Sequence, residues 1–122
     1  IPLAQGENLH TLLEFKAALQ TNVLRFPQPD VGTIGGITPW LQVAQLCANR
    51  DLMVSSHGMH ELHVSLLASV PNPGYLEVHS FPIDQYTLQP FQFSNGNAKP
   101  LDIIGHGVVF DENKLSSFLQ GS

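Results

Sequence analysis

Leu52-Met-Val-Ser-Ser-His57 is a short apolar run that ends in a histidine, and a helical pattern follows it. Short apolar runs bounded by turn residues are typical of buried strands. Pro71-Asn-Pro-Gly74 then ends the helical pattern. The stretch therefore predicts one strand–helix unit with His57 at the carboxyl end of its strand. The predicted apolar face of the helix comprises Met59, Leu62, Leu66, Leu67 and Val70.

Three other short runs, two before this unit and one after it, end in an acidic residue. These residues are Glu7, Asp30 and Glu77. Alternating strands and helices predict right-handed βαβ units and a parallel sheet. The carboxyl ends of parallel strands open on one face, and that face carries the chemistry in such folds. One histidine and three carboxylates are therefore expected to converge.

Local chemistry predicts the starts of two further helices. Thr11 and Glu14 have the spacing of a capping box, in which hydroxyl and carboxylate satisfy exposed amide donors. Thr38-Pro39 combines a preferred N-cap residue with a first-turn proline. The predicted buried faces of the two helices comprise Leu12, Phe15, Leu19, Trp40, Val43, Ala44 and Cys47.

The pattern changes at Phe81. Residues 81–122 contain three prolines and the turn sequence Asn95-Gly96-Asn97, which predict an extended, turn-rich tail. Residues 107–110 are a predicted short strand, and residues 112–119 a predicted closing helix. We expect the tail to pack over another part of the protein.

Composition narrows the classes of function. The chain has 122 residues, a formal net charge of −5 and one cysteine, Cys47. Negative charge without a Lys/Arg cluster argues against a nucleic-acid partner, and no apolar run approaches membrane-spanning length. A single cysteine cannot form an internal disulfide, which fits a cytoplasmic location. The charged share of only 12% is about half the usual value, so we expect protein partners to cover part of the surface, as in a homo-oligomer.

Four motifs in order carry a resemblance to a known family: Gly6-Glu7-Asn8, Pro29-Asp30 with Ile34-Gly-Gly-Ile-Thr38, Ser55-Ser-His57, and Tyr75-Leu-Glu77. With Gly105-His-Gly-Val108 in the tail, the chain resembles the C-terminal barrel half of the enolase superfamily, mandelate racemase subgroup. Within it, the chain is similar to acid-sugar dehydratases of the galactarate/talarate type. The chain begins with Ile1 in a strand-like run, and we expect an internal or processed segment.

The resemblance implies the architecture of the chain. A (β/α)₈ barrel typically needs about 250 residues, and residues 1–80 would be half of one, with four strand–helix units corresponding to strands five to eight. Residues 81–122 would be a C-terminal tail that packs on the barrel or on a capping domain. The N-terminal barrel half and the capping domain would be partners outside this chain.

The resemblance also implies a role for each residue that ends a run. Glu7 matches the third carboxylate ligand of a catalytic Mg²⁺, and Asp30 and His57 match a His–Asp dyad. Glu77 matches an acid that hydrogen-bonds the substrate carboxylate. The implied cofactor is Mg²⁺ and the implied substrate is a sugar acid. The first two metal ligands and a second acid–base group would lie outside this chain.

These residue types suit the implied reaction. Removing a proton α to a carboxylate requires stabilisation of the developing enediolate, which Mg²⁺ held by oxygen ligands can supply. A histidine suits the general base, and Asp30 would fix the tautomer of His57. A protonated Glu77 would donate to the substrate carboxylate as charge accumulates. The imidazolium would then protonate the departing β-hydroxyl, leaving an enol that becomes a 2-keto acid.

Other interpretations remain open. Racemisation or epimerisation would use the same dyad, and a non-catalytic half-barrel would self-associate through exposed sheet edges and an apolar inner face. Each site residue also has an ordinary structural interpretation: Glu7 as an acid near a helix start, Asp30 as a turn residue, and His57 as a hydrogen-bonded loop histidine.

Two other motifs are weaker. His60-Glu61-Leu62-His63 resembles a zinc-protease motif, but its histidines are three residues apart rather than four. The same spacing would allow His57, His60 and His63 to share a helix face and bind a metal. We expect instead that His57 precedes the helix and that the other two lie at the helix surface or an interface. Gly32-Thr-Ile-Gly35-Gly36 lacks the spacing of a dinucleotide fingerprint, and predicts a loop that passes close to the substrate.

Overall fold

The computed structural model describes residues 1–81 and 83–118. Two short parallel strands and three helices alternate along its first part. They are β1 (Leu3–Gln5), α1 (Leu12–Gln20), β2 (Leu24–Pro27), α2 (Ile37–Ala48) and α3 (His60–Ser69). Within the described ranges, no helix is long and apolar enough to cross a membrane.

Beyond β2 the sheet continues as backbone hydrogen bonds without regular strands. Ser55 N–H donates to Pro27 O at 2.8 Å, and Ser56 N–H donates to Tyr75 O at 3.0 Å. A parallel bridge joins Val54 to Pro73. The prediction of regular strands at both places is wrong, although the chain runs alongside β2 as expected.

Side chains and prolines explain why these two segments do not form a regular ladder. Pro73 has no N–H to donate. The Ser55 hydroxyl accepts the Tyr75 N–H at 3.1 Å, and the Ser56 hydroxyl accepts the Glu77 N–H at 3.0 Å. These bonds satisfy amides that would otherwise pair with a neighbouring strand.

Helix α1 begins as the sequence predicts. The Thr11 hydroxyl accepts the Glu14 N–H at 3.2 Å, and Glu14 Oε2 accepts the Thr11 N–H at 2.8 Å, which completes the capping box. Hydrogen bonds from the Thr11 hydroxyl and from the His10 N–H hold the pKa of Glu14 below its ordinary value.

Helix α2 does not begin at the predicted cap. Its N-cap is Gly36, with φ 113° and no side-chain cap bond, and Thr38 is the second residue of the helix. The prediction failed because glycine adopts this left-handed backbone at little cost, so the turn is made two residues earlier.

The predicted faces of α1 and α2 pack into one core. Phe15, Trp40, Val43 and Cys47 are fully shielded from solvent, and α1 contacts α2 directly. Leu12 lies at the edge of this core and is partly buried. The periodicity of these two helices therefore identified their buried faces correctly.

Helix α3 is buried on more sides than its pattern predicts. Leu66 and Leu67 join the core as expected, but Met59 is 41% exposed and lies before the helix. Four further residues of α3 are buried, namely His60, Glu61, His63 and Val64. The difference arises because the tail lies against His60, and the loops of Val31 and Gly58 enclose His63.

The tail is extended and turn-rich, as predicted. It contains a 3₁₀ helix (Ile83–Tyr86), β3 (Gln92–Ser94), β4 (Asn97–Lys99), α4 (Glu112–Leu115) and a second 3₁₀ helix (Ser116–Phe118). The antiparallel hairpin β3–β4 turns at Asn95 and Gly96, both with positive φ, as tight hairpins require.

Two predictions for the tail were wrong in part. The predicted strand 107–110 is reduced to a single antiparallel bridge between Phe110 and Thr87, beside which Val109 O accepts the Leu88 N–H at 2.9 Å. The predicted closing helix has one α-helical turn followed by a 3₁₀ turn, and Leu119 lies outside the described residues. Short 3₁₀ turns are common where a helix ends.

Candidate active site

The four residues predicted from the ends of the runs lie together around the His57 imidazole. Glu7 Oε2 lies 2.7 Å from His57 Nε2, and Asp30 Oδ2 lies 3.1 Å from Nδ1. Glu77 Oε2 lies 4.0 Å from Nε2. The expected convergence is therefore observed, whereas the chemical role of each residue stays a prediction.

Glu7 is placed by the turn that follows β1. Gly6 has φ 152°, and a Cβ there would meet Gln28 O at 2.6 Å. Gln28 N–H donates to Gln5 O at 2.9 Å, which holds the loop after β2 against β1. Only a glycine at position 6 allows this close approach, which brings Glu7 beside His57.

Asp30 is held rigidly at the end of β2. Its Oδ1 accepts the Gly32 N–H at 2.7 Å, which leaves Oδ2 for His57. The residue is only 7% exposed. Trp40 Nε1–H donates to Pro29 O at 3.0 Å and so ties the loop to α2. A buried, hydrogen-bonded carboxylate is well suited to fix the orientation of an imidazole.

Glu77 is connected to the His57 loop through the backbone. Its Oε2 accepts the Gly58 N–H at 2.7 Å, and its own N–H donates to the Ser56 hydroxyl. Ser56 belongs to the motif Ser55-Ser-His57, but neither it nor Gly58 had a predicted role. The two adjacent serines before His57 were the available signal, since a hydroxyl at a strand end can bind a neighbouring amide.

The two ring nitrogens of His57 face different carboxylates. With its proton on Nδ1 the ring donates to Asp30, and Nε2 then faces the open side, where Glu7 and Glu77 lie. A contact of 2.7 Å between Nε2 and Glu7 Oε2 requires a proton between these two atoms, so Nε2 can hold a proton on this side while Nδ1 donates to Asp30. The geometry therefore supports a proton acceptor oriented by Asp30.

Glu7 fits a Mg²⁺ ligand by its chemistry. Mg²⁺ prefers carboxylate oxygens. The Glu7 side chain is half exposed at the open side, and its Oε1 is engaged only by an exposed contact with Asn8 Nδ2. This chain offers one such ligand at the predicted position, so further ligands would have to come from elsewhere.

A second cluster lies away from this site, between α3 and the tail. Ligand atoms of His60, Glu61 and His79 fall within 4.8 Å of one another. His79 Nδ1, however, accepts the Phe81 N–H at 3.0 Å, so the neutral ring carries its proton on Nε2, the atom 3.8 Å from Glu61. A metal would need a free lone pair on this ring, but the Nδ1 lone pair accepts the Phe81 N–H and Nε2 carries the proton. The cluster therefore supports contact between α3 and the tail better than metal binding.

The nearby histidines follow one of the two expected alternatives. His57 precedes α3, as expected, and His60 and His63 lie buried at interfaces rather than on the free helix surface. His60 packs against the His79 and Phe91 rings of the tail, at centroid distances of 4.4 and 4.7 Å. The tail thus covers His60, whereas His63 is enclosed by the loops of Val31 and Gly58.

The chain belongs to the family described as enolase C-terminal domain-like, which matches residues 1–114. It is 41% identical over 119 residues to a 3,6-anhydro-alpha-L-galactonate cycloisomerase of Streptomyces coelicolor, covering 98% of this chain and 33% of that protein.

Solved structures agree with this assignment. A racemase from Streptomyces coelicolor with bound magnesium has a TM-score of 0.85 and 41% identity, covering 93% of this chain and 31% of that one. An L-talarate dehydratase from Polaromonas, complexed with Mg and L-glucarate, has a TM-score of 0.79 and 26% identity, with coverages of 94% and 32%.

These matches confirm the resemblance to the enolase superfamily and its acid-sugar enzymes. The chain spans about a third of the length of the relatives it matches. The chain is thus part of an α/β enolase-type barrel domain.

Proposed function

We propose that this chain forms part of an enzyme that removes the α-proton of a sugar-acid carboxylate and then expels an oxygen from the β-carbon. The observation that carries the proposal is the His57 ring, which Asp30 orients at 3.1 Å from Nδ1 and whose Nε2 faces Glu7 and Glu77. Related enzymes that bind Mg and L-glucarate support the substrate class.

In this proposal each of the four site residues has a defined role. Asp30 holds the proton on Nδ1, so Nε2 of His57 accepts the α-proton of the substrate. Glu77 lies beside the same nitrogen and would bind the substrate carboxylate. Glu7 would hold Mg²⁺, which when bound supplies charge stabilisation to that carboxylate. The protonated Nε2 then donates to the departing β-oxygen.

The identity of the leaving group separates two versions of the reaction. Loss of a β-hydroxyl as water gives a 2-keto acid, which is the dehydratase version. The relative at 41% identity favours a second version, because a 3,6-anhydro sugar acid carries a ring ether on its β-carbon. Breaking that C–O bond opens the ring and also gives a 2-keto acid, with no loss of water.

Exchange and product analysis test the proposal on the complete enzyme that contains this segment. We expect exchange of the substrate α-proton in D₂O and a product that reacts with a keto-acid reagent. A mass lower by one water indicates dehydration, and an unchanged mass indicates ring opening. Altered optical rotation without a keto product would indicate epimerisation on the same dyad instead.

Two substitutions separate the base from the metal ligand. His57→Asn should abolish α-proton exchange, since it removes the acceptor, and leave Mg²⁺ affinity nearly unchanged. Glu7→Gln should weaken Mg²⁺ binding, measured by calorimetry. Undiminished exchange in His57→Asn would contradict the base assignment, and unchanged metal affinity in Glu7→Gln would contradict the ligand assignment.

The alternative is a half-barrel that self-associates, and the exposure of β1 favours it. All three residues of β1 are exposed, and Leu3 is 49% exposed. An unpaired strand edge is a surface for pairing with more polypeptide. Native mass spectrometry distinguishes the cases, since a stable dimer near twice 13.3 kDa would support self-association and a lone monomer would not.

A further inference from the structure

His63 connects the two loops that carry Asp30 and His57. Its Nε2 accepts the Val31 N–H at 3.0 Å, and its Nδ1 lies 2.8 Å from Gly58 O. Val31 directly follows Asp30, and Gly58 directly follows His57. One ring therefore spans the ends of two neighbouring segments of the sheet.

The partners of His63 define its protonation state. The Val31 N–H requires a lone pair at Nε2, and the Gly58 carbonyl requires a proton at Nδ1. The ring is therefore neutral, with its proton on Nδ1. Burial, the largest influence, keeps the pKa of His63 below its ordinary value. The ring is fully buried, and Trp40 packs on it at a centroid distance of 5.9 Å.

We propose that neutral His63 is a positioning residue that sets the separation between Asp30 and His57. The inference rests on the proposed function, in which these two residues are the dyad. The described hydrogen bonds of His63 go to backbone groups of Val31, Gly58 and Met59, not to the dyad side chains. It acts through the two peptide groups next to them.

The loop after His57 needs such an external support. Gly58 has φ 57° and Met59 has φ 37°, both left-handed, and for Met59 this conformation is costly. Met59 O also lies 3.1 Å from His63 Nδ1. The ring thus holds a strained turn in place immediately after His57, and anchors it to the loop of Asp30.

Asparagine and glutamine separate the two bonds of the ring. The amide of His63→Asn can reach the position of Nδ1 and donate to Gly58 O, but it leaves the Val31 N–H without a partner. The carbonyl of His63→Gln can reach the position of Nε2 and accept from Val31, but it leaves the Gly58 side open. Neither side chain spans both loops. His60→Gln is the matched control, a buried histidine of α3 whose ring packs on His79 and Phe91 of the tail.

Nuclear magnetic resonance tests the inference on this chain without any reaction. The ¹⁵N shifts of His63 should show the neutral Nδ1–H tautomer, and an Nε2–H tautomer would overturn the proposal. The His57 Nδ1–H proton, bonded to Asp30, should give a downfield resonance in wild type and in His60→Gln. In both His63 variants we expect it to be lost to solvent exchange, and its persistence in folded His63 variants would also overturn the proposal.

Kinetics of the complete enzyme give the second readout. A small displacement of a catalytic group can lower the rate by about 100-fold, so each His63 variant should lose about that factor in kcat with little change in KM. His60→Gln should keep its kcat. An unchanged kcat in both His63 variants, or an equal loss in His60→Gln, would overturn the positioning role. A wild-type enzyme that exchanges no sugar-acid α-proton would reject the proposed function, while the resonance experiment would still judge His63.

Discussion

The residues around His57 are held in place by neighbours that have no chemical role of their own. Gly6 allows the close approach that brings Glu7 to the ring, and the Ser56 hydroxyl binds the amide of Glu77. Gly58 N–H in turn orients the Glu77 carboxylate. A site built on backbone groups is stiff, because peptide groups have fewer ways to move than long side chains. The precision of the site therefore depends on these small residues.

Cys47 is the residue whose chemistry the fold suppresses most directly. Burial in the core raises the pKa of its thiol to about 12, and only a thiolate reacts rapidly with alkylating reagents. We expect the folded chain to resist iodoacetamide up to about pH 10, and the urea-unfolded chain to react near the ordinary cysteine pKa of about 8.5.

Mass spectrometry after timed labelling measures the Cys47 prediction. Because Cys47 is the only cysteine in the chain, the unfolded protein serves as its own control. Labelling of the folded chain that rises between pH 8 and 9 would show that the thiol is accessible and would contradict its place in the core.

At the scale of the element, α1 and α2 begin by different means. Helix α1 begins with the capping box of Thr11 and Glu14, whereas α2 begins after Gly36 without a side-chain cap. The backbone amides at the start of α2 therefore receive no help from Thr38. The same residue type has an energetic role at one helix start and none that the described contacts show at the other.

A pair of substitutions measures this difference. Thr11→Ala should lower the unfolding free energy by about 1 kcal/mol, since it removes an N-cap bond. Thr38→Ala should change it by less than about 0.5 kcal/mol, because Thr38 is exposed. Urea unfolding followed by circular dichroism gives both values.

The pH dependence of the pair provides an internal check. The pKa of Glu14 is lowered in the folded chain, so its contribution is present above its ordinary value and is lost as pH falls through the lowered one. The cost of Thr11→Ala should therefore shrink in acid. Equal costs for the two alanine variants at neutral pH would contradict the assignment of the caps.

Sequence patterns predicted what depends on periodicity and on the order of the elements. The faces of α1 and α2 and the meeting of Glu7, Asp30, His57 and Glu77 follow from strand–helix alternation, and the structure agrees. The burial of His63 could not be predicted, because it depends on Val31, which is distant in sequence. The missing regular strands at 54–56 and 73–75 depend on hydroxyl bonds that no periodic pattern records.

At the scale of the whole molecule, the tail packs against α3 of the barrel segment. The Phe91 ring lies 4.7 Å from His60 and helps to line a cavity of about 20 Å³ between α3 and the tail. The His79 ring, which follows the last sheet segment, lies 4.4 Å from the His60 ring. The tail thus buries polar residues of α3 that would otherwise face water. His63 lies in the first turn of the same helix. Stability of the tail and order in the site are therefore expected to be linked.

Two phenylalanines of the tail provide the test of this link. Phe91 is half-buried against α3, whereas Phe93, two residues along, is 62% exposed. Phe91→Ala should lower the unfolding free energy by about 1–2 kcal/mol and speed hydrogen exchange of the α3 amides, since it removes half-buried apolar area. Phe93→Ala should leave both nearly unchanged. If Phe91→Ala loosens only the β3–β4 hairpin and leaves α3 exchange at the wild-type rate, the tail and α3 open independently, and the proposed link is wrong.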